Sequence, residues 1–494
     1  MPQSELYPLL ERAARQWPDE IGITSGMGDF TYQQLESAAK ELATTLSAAG
    51  VGRADKVGIL CPNGPAYLIA SFALFLIDGI VVPVFPGLKQ EEIAGLMTEL
   101  QLDALCLDPQ FADQLPASVP APISETTLFD GKVSFSIVQS VNHSQHEHGL
   151  RKLGDLGAPM LRFTSGTTSS AKGVIIPQSA MMEYTRRFTA SYSIQRGDCL
   201  LNLLSMAHIF YQVTAGLWVG AKIVVQEVTD LESVARSLES NRITHIEAAP
   251  SFYAMLINTE RLTKEHFRGV KYLTSCGAAL ADHVAAAFRE KYQREIVQRY
   301  GLTETGPVLI NLSEDVAKRG TLGTAAPGCE IRLAPNDPDS PGSNHDAEGE
   351  ILVRSPGLFA GYYLPWTPAE TVLDNGWFRT GDIATRDQEG YFRIVGRSKN
   401  IINVGGVKVF PDEIEAILRL HPAVEEALVF GAPDARFGES PRAKVRLRPG
   451  ATCERNVILQ FANDKLSFFK ALRDIEFVDA LPKTVTGKLK RSGV

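Results

Sequence analysis

An α/β fold with a large N-terminal domain is predicted from two hydrophobic patterns that alternate along the chain. In the first 300 residues, short β-branched runs read DKVGIL, GIVVPV, AKIVVQEV and THIEAAP. They are short and apolar throughout, as buried parallel strands are, and amphipathic helical patterns such as LESVARSLESN lie near them. Strands that alternate with helices in this way indicate α/β layers.

A change in the sequence pattern predicts a β-rich subdomain at about residues 321–395. The runs CEIRLAP, GEILVRS, GWFRTGD and GYFRIVG are short strand patterns separated by turn residues. After Gly396 mixed patterns return, with PDEIEAILRLH and RNVILQFANDKLS typical of helices and VEEALVFGAP typical of a strand. We therefore predict an N-terminal domain at residues 1–396 and a small α+β C-terminal domain at residues 397–494.

Composition and charge disfavour several classes of protein. Of the 494 residues, 44% are hydrophobic and 21% are charged, as in ordinary globular proteins. The formal net charge of −8 disfavours a general nucleic-acid or anionic-membrane binder, because such a protein needs a basic surface. The six cysteines are widely spaced and form no CxxC pair, which favours reduced thiols. The start of the chain lacks the pattern of a signal peptide, so a cytoplasmic location is expected.

Two segments have a second interpretation that we disfavour. Residues 66–87 are apolar over about the width of a membrane, but Asp78 and two prolines interrupt them. A buried helix that ends near Asp78, followed by a strand at Ile80–Val84, explains the segment without a membrane span. Residues 142–148 (NHSQHEH) carry three histidines without a partner cysteine or carboxylate pattern, so a solvated loop is favoured over a metal site.

A loop rich in Ser and Thr is the first candidate site. Residues 161–178 read LRFTSGTTSSAKGVIIPQ, and the apolar flanks predict a loop between buried elements rather than a linker. Backbone N–H groups near Gly166, the hydroxyls and Lys172 suit the oxygens of a phosphate. The P-loop pattern G-x-x-x-x-G-K-[ST] fails at Ala171 and Gly173, which disfavours a P-loop NTPase.

Four further blocks follow this loop in a fixed order. They are YGLTETGP at 300–307, GWFRTGD at 376–382, GRSKNIINVGGVKVFPDEIE at 396–415 and LPKTVTGKLKR at 481–491. The five blocks resemble those of the adenylate-forming superfamily, which includes acyl- and aryl-CoA synthetases, luciferases and the adenylation domains of peptide synthetases. The resemblance covers nearly the whole chain. It implies an N-terminal adenylation domain and a mobile C-terminal domain, with a hinge near Lys399.

The resemblance implies an AMP-forming acid–thiol ligase. A carboxylate is a poor electrophile because its leaving group would be oxide. Attack of the carboxylate on the α-phosphate of ATP gives an acyl-adenylate and pyrophosphate, and AMP then leaves easily when a thiol attacks. The implied cofactors are ATP, Mg²⁺ and coenzyme A, or the phosphopantetheine of an acyl carrier protein instead of coenzyme A. The sequence leaves the oligomeric state open between monomer and homodimer.

The resemblance also implies roles in nucleotide binding. Tyr300 would stack on adenine, Thr303 would donate to the α-phosphate, and Glu304 would hold Mg²⁺. Asp382 would accept both ribose hydroxyls, and Arg397 would add a ribose contact. The β- and γ-phosphates would be bound by Thr164, Ser165, Gly166, Thr167, Thr168 and Lys172.

The C-terminal blocks imply a change of domain orientation between two half-reactions. Lys488 would be the catalytic lysine of adenylate formation, a cation placed against charge that develops at the α-phosphate. Lys399 falls at the hinge, where a long polar residue absorbs the backbone rotation. Rotation would remove Lys488 from the active site and bring the NVGGVKV loop there. Gly405 and Gly406 of this loop would let the pantetheine arm pass close to the backbone.

Two departures from the family pattern leave other functions open. Ser169 and Ala171 stand where T-S-G-[ST]-T-G-x-P-K-G has glycine and proline, and we expect altered nucleotide affinity. They allow a non-catalytic acyl- or nucleotide-binding relative, against which the intact Glu304, Asp382 and Lys488 argue. Loading of a carrier protein instead of coenzyme A is the alternative within the superfamily. An oxidoreductase is disfavoured because no G-x-G-x-x-G follows an early strand.

The segment LLSMAHIFYQVTAG bears on the identity of the acid. It resembles the version found in acyl- and aryl-CoA synthetases, where His208 would fill a gate beside the acyl tunnel; a packed core histidine is the alternative. Amino-acid-activating domains have Asp directly after this position, whereas this chain has Ile209, so a substrate ammonium would lack a counter-ion. We expect an apolar aryl or medium-chain acid. The predicted pocket residues are His208, Phe210, Tyr211, Ala215, Gly277, Ala278 and Ala279.

Overall fold

The computed structural model of the chain describes residues 5–117, 119–139, 153, 156–163, 173–226, 230–335, 348–404, 407–434, 436–483 and 489. Within these residues, two nine-stranded sheets, a four-stranded sheet and a five-stranded sheet carry the fold. The prediction of an α/β fold with a β-rich part and an α+β C-terminal part is confirmed.

The first nine-stranded sheet has parallel strands at its centre and antiparallel strands at its edges. Leu201 pairs in parallel with Val224 on one side and with Ile246 on the other. The carboxyl ends of the central strands therefore share one edge, where ligands bind in open α/β sheets. In spatial order the strands are Thr324–Ala325, Gly306–Ile310, Val297–Leu302, Tyr272–Ser275, His245–Ala248, Cys199–Asn202, Lys222–Val225, Ile21–Ser25 and Gly28–Thr31.

The second nine-stranded sheet holds the strands on either side of the Ser/Thr-rich loop. Phe163 pairs with Gly173, so the chain enters and leaves the loop at adjacent positions. In spatial order the strands are Thr367–Pro368, Gly361–Tyr362, Gly173–Ile176, Met160–Phe163, Ile80–Pro83, Lys56–Leu60, Ala104–Leu107, Val133–Gln139 and Ser124–Leu128.

Helices join the two large sheets through one hydrophobic core. Helix Pro65–Leu76 is buried along almost its whole length, and strand Ile80–Pro83 follows it, as predicted for the apolar segment. None of the described helices has the length and apolar content that crossing a membrane requires. The helices are Tyr7–Gln16, Tyr32–Ala48, Pro65–Leu76, Gln90–Leu100, Gln178–Ser191, Phe210–Val219, Leu231–Ser240, Pro250–Ile257, Asp282–Tyr292, Ala369–Val372, Pro411–Arg419 and Arg455–Asn463.

The predicted β-rich segment forms an antiparallel four-stranded sheet. Each of the four strand patterns found in the sequence contributes one strand. In spatial order they are Glu330–Ala334, Glu348–Arg354, Phe378–Arg386 and Phe392–Arg397.

The C-terminal residues pack around a core of their own. Its members lie between Ile402 and Ile475. Gly396 lies where the four-stranded sheet meets this part, because a Cβ there would come 3.0 Å from Phe410 Cδ1 and 3.2 Å from Asp412 Oδ2. The domain boundary after residue 396 stays a prediction. The strands are Val407–Val409, Ile402–Val404, Gly438–Leu447 and Val424–Asp434, with Asp474–Phe477 paired to Gly438–Leu447.

Candidate active site

A tight turn presents Thr303 and Glu304 where a central strand of the first large sheet ends. Residues 303–305 join strand Val297–Leu302 to its antiparallel neighbour Gly306–Ile310. The hydroxyl of Thr305 accepts a hydrogen bond of 3.1 Å from the N–H of the last strand residue, which closes the turn. Thr303 and Glu304 are half-buried at its tip.

Two glycines of the YGLTETG block make this turn possible. A Cβ on Gly301 would collide with the carbonyl oxygen of Gly306. Gly306 has a φ of +62°, and a Cβ there would collide with the ring of Tyr184. The spacing of the block therefore has a steric cause that is separate from any catalytic role.

The carboxylate of Glu304 is held by a residue of the second large sheet. Tyr362 Oη donates a hydrogen bond of 3.0 Å to Glu304 Oε1, and the N–H of Phe359 donates to the Glu304 carbonyl at 2.8 Å. Burial and the Glu304 carboxylate raise the pKa of Tyr362, so its phenol remains a donor at neutral pH. Tyr362 also pairs with Val174, close after the Ser/Thr-rich loop. Glu304 thus lies where the two large sheets and the end of this loop meet.

The three residues assigned to the nucleoside lie together. Tyr300 Oη donates to Asp382 Oδ2 at 2.6 Å, and Arg397 Nε lies 2.7 Å from Asp382 Oδ1. Asp382 and Arg397 are direct partners across two strands of the four-stranded sheet. Asp382 is 3% exposed. Burial, followed by the Asp382 carboxylate, raises the pKa of Tyr300 well above its ordinary value.

Lys399 lies beside these nucleoside residues. It belongs to the short 3₁₀ turn Ser398–Asn400, which directly follows the strand that contains Arg397. Partial burial of its ammonium and the Arg397 guanidinium lower the pKa of Lys399, and the Asp382 carboxylate opposes them. Because the Lys399 side chain is exposed, we attribute its lowered pKa mainly to the nearby Arg397 guanidinium. Any rotation of the chain at this position would move Lys399 relative to Asp382.

The histidine of the gate segment is exposed. His208 lies between strand Cys199–Asn202 and helix Phe210–Val219, and its carbonyl accepts a hydrogen bond of 3.3 Å from an Arg162 terminal nitrogen. The alternative of a packed core histidine is therefore wrong. Phe210 is fully buried, with its ring centre 5.8 Å from that of Phe75. Packing against helix Pro65–Leu76 accounts for its burial, and its assignment to the pocket wall stays a prediction.

The other predicted pocket residues lie around the carboxyl ends of the central strands. Gly277, Ala278 and Ala279 follow strand Tyr272–Ser275 and are exposed. A Cβ on Gly277 would meet no atom of the described residues within 4 Å. Tyr211 and Ala215 are buried one helical turn apart.

Three charged residues near the site were missed in the sequence. Glu247, Arg299 and Arg162 are all buried. A signal was present for each, because THIEAAP and MLRF carry a charge inside runs that predict buried strands, and Arg299 directly precedes the YGLTETG block. A buried charge without an evident partner in the sequence marks a candidate functional position.

Several predicted residues lie outside the described residues. They are the phosphate-loop residues Thr164, Ser165, Gly166, Thr167, Thr168 and Lys172, the glycines Gly405 and Gly406, and Lys488.

Comparison with known families agrees with the geometry of the site. The family profile of the AMP-binding enzymes matches residues 10–363, and that of the AMP-binding enzyme C-terminal domain matches residues 413–488. The chain therefore belongs to the AMP-binding enzyme family, the adenylate-forming superfamily identified in its sequence.

Relatives extend along the whole chain. An indoleacetate–CoA ligase of Aromatoleum aromaticum is 29% identical over 99% of this chain and 97% of that protein. A long-chain-fatty-acid–CoA ligase of Bacillus subtilis is 26% identical over 99% of this chain and 94% of that protein. These relatives confirm the assignment to the acyl- and aryl-CoA synthetase branch, an enzyme class of acid–thiol ligases.

Solved structures show the same fold. The o-succinylbenzoate CoA synthetase MenE of Bacillus subtilis, in complex with its acyl-adenylate intermediate, is 23% identical with a TM-score of 0.81, over 98% of this chain and 97% of that one. The same enzyme in complex with ATP and magnesium ion has a TM-score of 0.79.

Proposed function

We propose that this enzyme uses ATP and Mg²⁺ to convert an apolar carboxylic acid into an acyl-adenylate, with release of pyrophosphate. It then transfers the acyl group to the thiol of coenzyme A. The observation that carries this proposal is that strand Val297–Leu302 and the turn after it bring Tyr300 to Asp382 and Arg397, and Glu304 to Tyr362. These five side chains come from distant parts of the sequence and supply the contacts that adenosine and a metal-bound triphosphate need.

The nucleoside group would bind ATP by exchanging hydrogen bonds. Both carboxylate oxygens of Asp382 are engaged, one by Tyr300 and one by Arg397. Two adjacent ribose hydroxyls can replace these donors, since a carboxylate oxygen accepts a hydrogen bond from any O–H or N–H donor. The ring of Tyr300 would then lie against adenine.

The turn at Thr303 and Glu304 suits the reacting phosphates. A carboxylate oxygen is the ligand type that Mg²⁺ prefers, and Tyr362 holds the Glu304 carboxylate in one orientation. Bound Mg²⁺ would neutralise charge on the phosphates. Thr303 would donate to the α-phosphate, and Lys488 would add a cation there during attack by the acid.

The acid would lie between the gate segment and the exposed loop. His208 and Gly277–Ala279 would border its entrance, and Tyr211 and Ala215 would form deeper walls. The apolar side chains among these residues support an aryl or medium-chain acid. The relatives are named for indoleacetate and for long-chain fatty acids, which are also acids with an apolar body.

Coenzyme A is the acceptor that the relatives support, because both are named as CoA ligases. Gly405 and Gly406 would let the pantetheine arm reach the adenylate after rotation at Lys399. The same arm occurs on a carrier protein, so the acceptor is decided by experiment.

The test is pyrophosphate release from the whole enzyme with a panel of aryl acids and fatty acids of increasing length, with and without coenzyme A. Turnover that requires coenzyme A would support the proposal and name the acid class. A single burst that ignores coenzyme A would indicate a carrier-protein acceptor. The absence of pyrophosphate with every acid would reject the proposal in favour of a non-catalytic relative.

A matched pair of variants tests the site itself. Asp382→Asn should abolish most of the release at limiting ATP. Asp387→Asn is the control, because this aspartate lies away from the site and accepts a hydrogen bond of 2.8 Å from Lys318. It should leave pyrophosphate release unchanged. Equal effects of the two substitutions would count against the nucleotide site.

A further inference from the structure

A buried polar cluster lies directly beneath the exposed loop Gly277–Ala279. We call it the Glu247 cluster. It consists of Tyr211, Gln212, Glu247, Ser275, Cys276 and Arg299, all of which are buried.

An ion pair forms the centre of the Glu247 cluster. Glu247 is 2% exposed, and its Oε1 pairs with the Arg299 guanidinium and accepts from Tyr211 Oη at 2.9 Å and Cys276 Sγ at 3.2 Å. The guanidinium carbon of Arg299 lies 5.1 Å from the centre of the Tyr211 ring. Burying such a pair is expensive compared with packing hydrophobic residues of the same size. Stability alone therefore gives no reason for it.

The cluster has hydrogen-bonding capacity that the described residues leave unused. Glu247 Oε2, Arg299 Nε, Ser275 Oγ and both amide atoms of Gln212 are buried and have no hydrogen-bond partner within the described part of the chain. Glu247 and Gln212 also face each other across a gap too narrow for a water molecule, so a ligand would have to widen it. Buried polar atoms in native proteins are nearly always bonded, so this concentration of unused donors and acceptors indicates a ligand.

The position of the cluster identifies which ligand can reach it. Glu247, Ser275 and Arg299 lie on strands His245–Ala248, Tyr272–Ser275 and Val297–Leu302, which are neighbours in the sheet, and Tyr211 and Gln212 lie on helix Phe210–Val219. Cys276 directly precedes the exposed Gly277, and Arg299 directly precedes Tyr300. The cluster therefore lies below the loop that borders the proposed acid site and beside the strand that leads to Glu304.

We propose that the Glu247 cluster binds the end of the acid remote from its carboxylate, and that this end carries a neutral hydrogen-bond donor such as a phenolic hydroxyl or a ring N–H. The inference rests on the proposed function and narrows its substrate class to an aryl acid with a polar distal group. Glu247 Oε2 accepts the donor, and Arg299 Nε and the Gln212 amide serve any acceptor on the same group.

The charges of the cluster select a neutral group. Because Glu247 and Arg299 offset each other, a second carboxylate or an ammonium on the acid would be a buried charge without a counter-ion. A methyl group in place of the donor would leave Glu247 Oε2 without a partner, as it is among the described residues. A neutral donor is the group that the cluster accommodates best.

The test compares pairs of acids of nearly equal shape by acid-dependent pyrophosphate release. The pairs are 4-hydroxyphenylacetate with 4-methylphenylacetate, and indole-3-acetate with its N-methyl derivative. We expect kcat/KM about 10- to 100-fold higher for the donor-bearing member of the pair that fits the pocket, the range for a hydrogen bond to a charged group. Equal values, a preference for the methyl acids, or a preference for 4-carboxyphenylacetate would overturn the inference.

A double variant tests the residues. Glu247→Met combined with Arg299→Met removes both charges at similar volume. It should bring the ratio of kcat/KM between the two acids of a pair to about one. The control replaces Lys56 and Asp103, a second buried pair 3.7 Å apart, by Met and should keep the wild-type ratio. An unchanged ratio in the Glu247 and Arg299 variant would overturn the inference.

Two outcomes separate this inference from the proposed function. Turnover of methyl acids without preference would reject only the polar distal group. The absence of pyrophosphate with every acid would reject the proposed function and this inference with it. If the double variant does not fold, the wild-type comparison of paired acids still decides.

Discussion

Tyr300 Oη donates a 2.6 Å hydrogen bond to Asp382 Oδ2, although the two residues are 82 positions apart in the sequence. The bond joins the first large sheet to the four-stranded sheet. It also makes the residue proposed for adenine a partner of the residue proposed for ribose. The residues proposed for the nucleoside thus hold one another in place, and ATP bound as proposed would replace these bonds.

Asp382 should contribute more to ATP binding than the Tyr300 hydroxyl does. Asp382→Asn removes the charge that two ribose hydroxyls would share, and we expect the KM for ATP to rise about 10- to 100-fold. Tyr300→Phe keeps the ring for stacking and should change this KM by only about threefold, since its hydroxyl bonds to Asp382 and not to the nucleotide. Steady-state kinetics with ATP varied at saturating acid measures both. A larger change in the KM for the acid would contradict the assignment.

The hydrogen bond from Tyr362 should lower the Mg²⁺ concentration that the enzyme needs, because it orients Glu304. Tyr362→Phe removes the bond of 3.0 Å but leaves the ring, so the carboxylate loses its fixed orientation. We expect the Mg²⁺ concentration for half-maximal activity to rise about three- to tenfold, with a smaller loss of kcat at saturating Mg²⁺. The control is Tyr363→Phe, because that buried ring packs against Lys56. Identical Mg²⁺ titrations of the two variants would reject the positioning role.

The local elements could be predicted from the sequence, whereas the contacts between distant segments could not. The runs THIEAAP and GEILVRS became strands because β-branched apolar residues suit buried sheets. Which strands are neighbours depends on the order of the sheet, which no local pattern contains. The pairing of Glu247 with Arg299 is an example, since the two are 52 residues apart and lie on strands separated by a third.

The site residues divide in the same way. Tyr300, Glu304 and Asp382 could be named because their blocks resemble those of the adenylate-forming superfamily, and the structure adds the steric reason for the two glycines around TET. Phe210 and Tyr211 were both predicted for the pocket, but on a helix consecutive residues point in different directions. The Phe210 ring packs against Phe75, while the Tyr211 hydroxyl donates to Glu247.

Two substitutions in the C-terminal part should separate the half-reactions. Lys488→Ala removes the cation proposed for adenylate formation, and we expect this step to slow at least about 100-fold while thioester formation from supplied acyl-adenylate persists. Lys399→Pro restricts the backbone at the proposed hinge and should do the reverse. Pre-steady-state pyrophosphate release and thioester formation are measured separately. Equal loss in both steps for either variant would reject its assigned role.

Alkaline pH should destabilise the protein through its buried tyrosines. Burial raises the pKa of Tyr184, Tyr192 and Tyr253 above the ordinary value of 10.0. Above about pH 10 the unfolded chain releases these protons while the folded chain keeps them, so the folded state binds more protons and stability falls as pH rises. Below this pH both states are protonated and the contribution is fully present.

The measurement is urea unfolding at several pH values, with tyrosinate absorbance as a second signal. The tyrosinate signal of the buried residues should appear together with unfolding. Tyr184→Phe is the informative variant, because the Tyr184 hydroxyl is buried without a partner in the described residues. It should be at least as stable near neutral pH and lose stability less steeply above about pH 10, by up to about 1.4 kcal/mol per pH unit. The same steepness in both proteins would contradict this account.

Arg162 should cost stability and support activity. Its guanidinium is buried just before the Ser/Thr-rich loop and bonds to Met160 Sδ at 3.1 Å and to the His208 carbonyl at 3.3 Å, and one of its terminal nitrogens has no partner among the described residues. No carboxylate of the described residues lies within ion-pair distance of it, and burial lowers its pKa. A buried cation in this state is unfavourable until an anion approaches, and ATP and the acid, the two substrates of the proposed adenylate formation, are both anions.

Arg162→Met should therefore raise the free energy of unfolding by about 1–3 kcal/mol and lower kcat/KM about tenfold or more. The control is Arg187→Met, since Arg187 is equally buried but donates to Pro307 O at 2.7 Å and Ser355 Oγ at 2.6 Å, so its loss should lower stability. Urea unfolding and pyrophosphate release measured on the same preparations give both quantities. A loss of stability in both variants would show that Arg162 is a structural residue, because a cation held for a substrate should destabilise the free enzyme.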